Sequence, residues 1–532
     1  MKITAAEALV KCLEAEGITK IFGYPGAAIC PFYDKLNESK IKHILVRHEA
    51  NAGHAASGYA RITGRPAVCV ATSGPGATNL ITAIATAYMD SVPMVIITGQ
   101  VSTEQIGRDV FQEADITGAT EPFVKHSYLI KKAELLPEIV KKAFYIAGSG
   151  RPGPVLLDIP IDVQLSEINF KYPESVEIDS YKPQKEGNKL QIKRVAEAFK
   201  TAKKPLICAG GGIFNANAKE ELLQVAEKSR IPVICTMMGI SVMPHAHELF
   251  IGMTGMHGRQ AANKALNECD LLILLGARVG DRAVTALKER GDMKVIHIDI
   301  DPAEIGKNLH VNIPVVGDLK AVLNQLSEII EPAQTEKWLA VCKNVNESPD
   351  ITGTPAAFIE ELNKLLPKNC VISADVGQNQ IWTANNIKLK GGRFITSGGM
   401  GTMGYSVPAA IGAKSADPTA EVIAICGDGS FQMQFMELAT ILQHGINVKI
   451  IIMVNNRLGM VRELQKNLYG NRLTAVSLDR SPDFVKIAEA YGIKGEYVND
   501  ISEAEKALKN LLNSDKPYIL QVKVSEDERT II

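Results

Sequence analysis

Asp428 lies between two glycines in AICGDGSFQM (424–433), where the apolar run EVIAIC stops and a helix-period run begins. Gly427 and Gly429 let backbone approach a ligand closely, and Ser430 follows at the head of the next run. A strand, a glycine turn and a helix N-terminus make an anion site at the carboxyl end of a parallel strand. Taken alone, the GDG triplet serves equally well as a plain turn with a capping aspartate. The next apolar run, VKIIIMV (448–454), ends in NNRLGM, so that Asn455 follows Asp428 by 27 positions (455 − 428). Adjacent parallel strands end on the same side of a sheet, which would bring the two side chains together at its edge. A carboxylate and an amide oxygen are hard ligands that suit Mg²⁺, whose remaining partners are usually waters and phosphate oxygens. Arg457 is a third candidate at that metal site. A diphosphate bridged by Mg²⁺ at a helix N-terminus accounts for these residue types together.

The elements that must position this turn are legible as short runs rich in valine and isoleucine, alternating with helix-period segments. They include PAVCVAT (66–72), PMVIITG (93–99), PVLLDIP (154–160), KPLICAG (204–210), LLILLGA (271–277), KVIHIDI (294–300), EVIAICG (421–427) and VKIIIMV (448–454). Continuous apolar strands imply parallel sheets covered by helices on both faces, an α/β protein. After the GDG turn, Phe431, Phe435, Leu438 and Leu442 recur at helical spacing, with Gly445 as the stop. Two polar, proline-containing stretches interrupt the rhythm, at 166–189 and 331–355, the second containing a candidate short helix. They divide the chain into three domains, 1–165, 190–330 and 355–532, each of ordinary size.

With 58 basic and 59 acidic residues in 532, and no basic block or aromatic-studded basic stripe, nothing marks a nucleic-acid surface. Nine scattered cysteines without a CxxC pair fit a reduced cytosol better than a disulfide framework. The N-terminal MKITAAEALVKCLEAEG reads as an amphipathic helix, not a targeting peptide. The apolar runs are far shorter than the ~20 residues that span a bilayer. The expectation is a soluble cytoplasmic protein that binds neither membrane nor nucleic acid.

GDGS followed by NN at this interval resembles the thiamine diphosphate motif of the decarboxylase and carboligase superfamily. The resemblance runs over nearly the whole chain and is closest to the catalytic subunits of acetohydroxyacid (acetolactate) synthases. FGYPGAAICPFYDKL, RHEANAGHAASGYAR, SGPGATN, DVFQEAD, KHSYL, GRPGPVLLDIP, GMHG, HIDIDPAEIGKN, GTMGYSVPAAIGA and LGMVRELQ read like that family's landmarks, in its order. It implies thiamine diphosphate-binding first and third domains, a central FAD-binding Rossmann-like domain, and a cofactor held between domains. Glu49 in RHE, which alone would read as a surface or capping glutamate, matches the one that hydrogen-bonds N1′ of the aminopyrimidine. Proton sharing there favours the imino tautomer, whose N4′ removes the thiazolium C2 proton. In GGMGTMGYS (398–406), otherwise simply a flexible loop, Gly401 and Met403 match positions that contact the aminopyrimidine and support the bent cofactor. In VGQNQ (376–380), Gln378 and Asn379 match the diphosphate side. Asn379 replaces the usual histidine, and a neutral donor is expected to survive the change.

The family's FAD domain is matched by CAGGGI (208–213), GMHG (255–258), GARVGDR (276–282) and HIDID (297–301). The resemblance points to Gly210, Gly211, Gly212, Met256, His257, Arg278, Asp299, Asp301 and Asp318, with glycine amides on the pyrophosphate and Asp299 or Asp301 on ribose hydroxyls. Arg282 matches the arginine that meets the carboxylate of the second 2-ketoacid, although a surface arginine is an equal reading. Phe111, Gln112, Met460, Val461 and Leu464 match the substrate pocket, with core packing as the plain alternative for the apolar ones.

Three departures stand out. Leu464 replaces the tryptophan that favours 2-ketobutyrate, so pyruvate should compete better as second substrate. Ile161 in DIPID stands where a lysine is common. VSEDERTII lacks the proline-rich tail that helps cover the site in relatives, which predicts looser closure. The resemblance implies condensation of pyruvate with a second 2-ketoacid, the first step of branched-chain amino acid biosynthesis. It also implies a homodimer or homotetramer with shared sites and an ACT-domain regulatory subunit as partner. A flavin oxidoreductase resembling pyruvate oxidase and a non-catalytic cofactor-binding paralogue remain the rival readings.

Overall fold

The computed structural model describes residues 2–284, 291, 293–344 and 354–530. Three six-stranded sheets, parallel throughout, follow one another along the chain and are flanked by helices. In spatial order the first comprises Lys42–Leu45, Lys20–Gly23, Ala67–Ala71, Met94–Gln100, Pro154–Pro160 and His126–Leu129. The third comprises Arg393–Ile395, Cys370–Ala374, Glu421–Gly427, Lys449–Val454, Tyr518–Lys523 and Lys494–Val498, and repeats the first sheet's strand order. The middle sheet, Phe250–Met253, Val233–Cys235, Pro205–Ala209, Leu271–Leu275, Lys294–Asp299 and Ile313–Val316, has the dinucleotide-fold order with its first strand central.

All eight apolar runs named above form strands within these sheets, and their central residues are buried on both faces. A short antiparallel pair, Lys2–Thr4 with Glu167–Asn169, was not anticipated. It precedes the expected N-terminal helix, Ala5–Ala15, and folds the start of the first polar stretch back onto the chain's beginning. In the second polar stretch the short helix is Glu336–Lys343; residues 345–353 of that stretch lie outside the described residues.

The run after the GDG turn is not one helix. It comprises Asp428–Phe431, a 3₁₀ turn Phe435–Glu437, and Leu438–Gln443, ending at Gly445 with φ +60°. The break lets Gln434 turn inward. Its Oε1 accepts the Val407 N–H at 3.0 Å, and its Nε2 donates to Asp375 Oδ2 at 2.9 Å.

The first and third sheets share a core through two antiparallel helices, Glu49–Thr63 and Ser406–Ala416. Both are rich in alanine, glycine and serine, so their backbones approach closely. A Cβ at Gly58 would lie 2.0 Å from Ala409 O, and one at Gly412 would lie 1.8 Å from Ala55 O. No helix among the described residues is long and apolar enough to cross a membrane.

Candidate active site

Strands Glu421–Gly427 and Lys449–Val454 pair in parallel, with Gly427 opposite Met453. Asp428 and Asn455 therefore emerge at one sheet edge. Asp428 is buried; its Oδ1 accepts the Gly429 N–H at 2.8 Å and its Oδ2 the Asn456 N–H at 2.6 Å. Burial outweighs these bonds and pushes its pKa up to about 6. Asn455 Oδ1 accepts the Arg457 N–H at 3.1 Å, while its Nδ2 donates to Gln378 Oε1 at 3.0 Å. Gln378 in turn donates to Glu528 O at 2.9 Å, which draws residues 524–530 across this edge. Ser430 Oγ bonds back to Gly427, receiving its N–H and donating to its carbonyl.

Two residues differ from expectation in what they offer a ligand. The Arg457 guanidinium turns away to Glu526, Ser477 and Asp479, leaving only its backbone near the edge. Asn379 is buried and spends its amide hydrogens on Asp375 O (2.8 Å) and Ile425 O (3.3 Å). The neutral donor expected there is used within the fold, joining the ends of two strands. Among the described residues no three His, Cys, Asp or Glu side chains cluster as a metal site. A cation here would take Asp428, Asn455 and oxygens from its ligand, the donor set that suits Mg²⁺ with a diphosphate.

The Gly401–Ser406 turn leans over the same edge: Met403 Cε lies 3.6 Å from where a Gly429 Cβ would be. Gly401 and Gly404 adopt φ +65° and +88°. Asp375, fully buried at the end of Cys370–Ala374, holds the turn. It accepts the Gly404 and Ser406 N–H groups at 3.0 and 2.8 Å, besides Val376 and Gln434. Sequence reasoning missed it; the only local signal was an aspartate closing the strand-like CVISA.

Glu49 opens the helix Glu49–Thr63, after His48, whose ring nitrogen caps the Ala50 N–H at 3.2 Å. Glu49 Oε2 accepts from Asn79 Nδ2 at 2.9 Å. Asn79, also missed as an individual residue, belongs to SGPGATN; Gly76 of that motif leaves room beside Glu49, where a Cβ would lie 3.5 Å from Oε1. Gln112, at φ +60°, packs against Gly74 of the same loop, and Phe111 beside it is 86% exposed. Glu49, Phe111 and Gln112 thus gather at one place, and Met403, Asp428 and Asn455 at another.

Within one chain these halves lie apart. The Gly398–Thr402 segment docks at the far end of the Glu49 helix, where Asp90 accepts from Arg61 Nη2 (2.8 Å) and from the Gly398 and Gly399 amides (3.1 and 2.7 Å). Arg61 is twelve residues beyond Glu49, about 18 Å along a helix rising ~1.5 Å per residue.

In the middle unit Gly210 and Gly212 donate their N–H groups to Leu275 O (2.9 Å) and Gly276 O (3.1 Å), so their smallness serves close packing. Asp299 is buried, accepts the Asp301 N–H at 2.9 Å, and is raised by burial to about 6. Asp301 and Glu304 pair with Arg151 of the first unit at 3.2 and 2.8 Å. Asp318 caps the helix Leu319–Ile329 through the Ala321 N–H at 3.1 Å. His257 O accepts from Asn385 Nδ2 at 2.7 Å. Arg282 is exposed; it reaches Met256 Sδ at 3.0 Å and contacts none of the residues around Asp428 among the bonds described. Arg278 is half-buried, faces Asp90, Asp299 and Glu304 electrostatically, and makes no hydrogen bond among the described residues.

Three family profiles match in succession: the thiamine pyrophosphate enzyme N-terminal TPP-binding domain over residues 3–119, the central domain over 192–326, and the C-terminal TPP-binding domain over 375–522. The chain is 48% identical to a probable acetolactate synthase large subunit of Methanocaldococcus jannaschii, covering 98% of this chain and 92% of that protein. It is 43% identical to the acetolactate synthase large subunit of Corynebacterium glutamicum (99% and 87% covered) and 44% identical to the acetolactate synthase of Arthrospira platensis (99% and 95%). This chain therefore belongs to the thiamine pyrophosphate enzymes, in the family of acetolactate synthase large subunits.

Proposed function

We propose that the protein condenses pyruvate with a second 2-ketoacid, releasing CO₂. Two pyruvates give 2-acetolactate, and pyruvate with 2-ketobutyrate gives 2-aceto-2-hydroxybutyrate. The observation that carries this reading is the strand-edge pair Asp428 and Asn455 with Met403 leaning over the GDG turn. In this reading Asp428 and Asn455 hold Mg²⁺ against the diphosphate, with Gln378 orienting Asn455. Glu49, steadied by Asn79, shares a proton with the aminopyrimidine nitrogen. When bound, thiamine diphosphate supplies the acidic carbon that takes up pyruvate and lets CO₂ leave.

Because Glu49 is remote from its own chain's Met403 turn, we assign the complete site to two copies, one giving Glu49, Phe111 and Gln112, the other the strand edge. Met460, Val461 and Leu464 on the helix Gly459–Leu468 border the substrate. Arg282 would join them only from across the assembled site, as partner of the second ketoacid's carboxylate. FAD is assigned to the middle unit on the family resemblance, with Arg278, which makes no hydrogen bond among the described residues, as the group a pyrophosphate would satisfy. Relatives are named large subunits, which favours a small regulatory subunit as partner; its ACT type rests on the resemblance, and the cytoplasmic place on the charge and cysteine pattern.

The test is product analysis on purified protein with pyruvate, Mg²⁺, thiamine diphosphate and FAD, with and without 2-ketobutyrate. Acetolactate is expected, with Glu49→Gln slower by at least about 100-fold. Leu464→Trp should shift the product ratio toward 2-aceto-2-hydroxybutyrate. Acetate with reduced flavin, or wild-type turnover in Glu49→Gln, would overturn the reading.

A further inference from the structure

The segment that carries Glu49 is strapped on both sides to one carboxylate from the third unit. Glu437 closes the turn Phe435–Glu437 and is fully buried. Its Oε1 accepts the Arg47 N–H at 2.9 Å and Asn51 Nδ2 at 2.8 Å; its Oε2 accepts Thr440 Oγ1 at 2.6 Å. Arg47 and Asn51 stand two residues before and two after Glu49. The clamp continues outward, with the Leu45 N–H donating to His444 Nε2 at 2.9 Å and Arg47 Nη2 to Gln443 Oε1 at 2.6 Å. Glu437 itself lies nine positions after Asp428 (437 − 428) on the continuous run GDGSFQMQFME.

A buried carboxylate is tolerable only where donors satisfy it, and such charge-assisted bonds are short and strong. Here the donors are not general packing partners. Of the three, Arg47 gives the last main-chain N–H before the capping His48, Asn51 a side chain in the first helical turn, and Thr440 a hydroxyl from Glu437's own unit. Fixing the first two leaves the Glu49 Cα little freedom, and Asn79 then sets the rotamer of its side chain. Neither Arg47 nor Asn51 is close to Glu437 in sequence, so no local pattern reveals the arrangement.

We propose that Glu437 is a positioning residue for Glu49, holding residues 47–51 so that the Glu49 carboxylate meets the aminopyrimidine of cofactor bound by a second copy. The inference rests on the role given to Glu49 above. It also means that the segment gripping one copy's diphosphate is covalently continuous with the clamp that aims the glutamate of the other site.

The test compares Glu437→Ala, Glu437→Gln and Glu49→Gln. Two readouts do not require turnover: amide hydrogen exchange at Arg47 in cofactor-free protein, and exchange of the C2 proton of bound thiamine diphosphate without substrate. Glu437→Ala should speed Arg47 exchange and slow C2 exchange by about 10–100-fold. The loss should fall on kcat, leaving KM for pyruvate nearly unchanged. Glu437→Gln should stay within about threefold, since its amide oxygen accepts both donors and its nitrogen can donate to Thr440. In the Glu49→Gln background, Glu437→Ala should add nothing. Asn51→Ala, which removes one donor and leaves Glu437 intact, should give a partial loss and serves if Glu437→Ala does not fold. Unchanged C2 exchange in Glu437→Ala, or a fully additive loss in the double variant, overturns the proposal. If Glu49→Gln itself leaves C2 exchange untouched, the role of Glu49 fails, and this inference falls with it.

Discussion

Asp428 is held as a buried carboxylate by two main-chain N–H groups, and burial still raises it to about 6. The linkage follows in sign. Without cation, the folded state binds the proton more tightly than the unfolded chain, so this group's contribution to stability is complete below pH 3.8. It is lost as pH rises to about 6. A cation requires the ionised form. Mg²⁺ affinity, measured by calorimetry in the presence of thiamine diphosphate, should therefore be flat above about 6 and fall roughly tenfold per pH unit below it. A flat profile down to pH 5 would remove Asp428 from the metal site. Asn379 teaches a different lesson: its identity was visible in the sequence, but its two carbonyl partners, Asp375 and Ile425, were not.

At the scale of elements, the tight pairing of Glu49–Thr63 with Ser406–Ala416 sets where both half-sites sit. Gly412→Ala would place a Cβ 1.8 Å from Ala55 O, so the helices must separate. Overpacking of this kind costs about 1–3 kcal/mol or more. The variant should show a lower denaturation midpoint and reduced turnover, whereas Gly291→Ala, whose Cβ meets nothing within 4 Å among the described residues, should match wild type. The eight apolar strands were legible because two-sided burial leaves an uninterrupted valine–isoleucine signature. Edge strands such as His126–Leu129 were not, since their residues are partly exposed and mixed in polarity. The helix expected over 431–442 is broken for a tertiary reason, the inward turn of Gln434 to Asp375 and Val407, which no periodicity contains. Asp375 and Asn79 escaped notice for the same cause: their partners lie on other segments.

For the whole molecule, a single copy leaves apolar surface uncovered around the candidate site. Phe111 is 86% exposed, Val461, Leu464 and Leu468 are exposed along one helix, and Met400 and Met433 are exposed elsewhere in the third unit. Patches of this kind mark places where substrate or another copy must sit, and the docking of Gly398 and Gly399 beside Arg61, about 18 Å along the helix from Glu49, points the same way. A closed two-fold pair would bury both faces and complete two sites at once. The most direct measurement mixes two defective chains. Glu49→Gln and Asp428→Ala chains, each inactive alone, are denatured together, refolded with Mg²⁺ and thiamine diphosphate, and assayed for acetolactate. A site shared between copies gives mixed dimers one intact site each, restoring about a quarter of wild-type activity for random pairing. No activity in the mixture, while each chain alone still binds its copies, would contradict a two-copy carboligase built on Glu49 and Asp428.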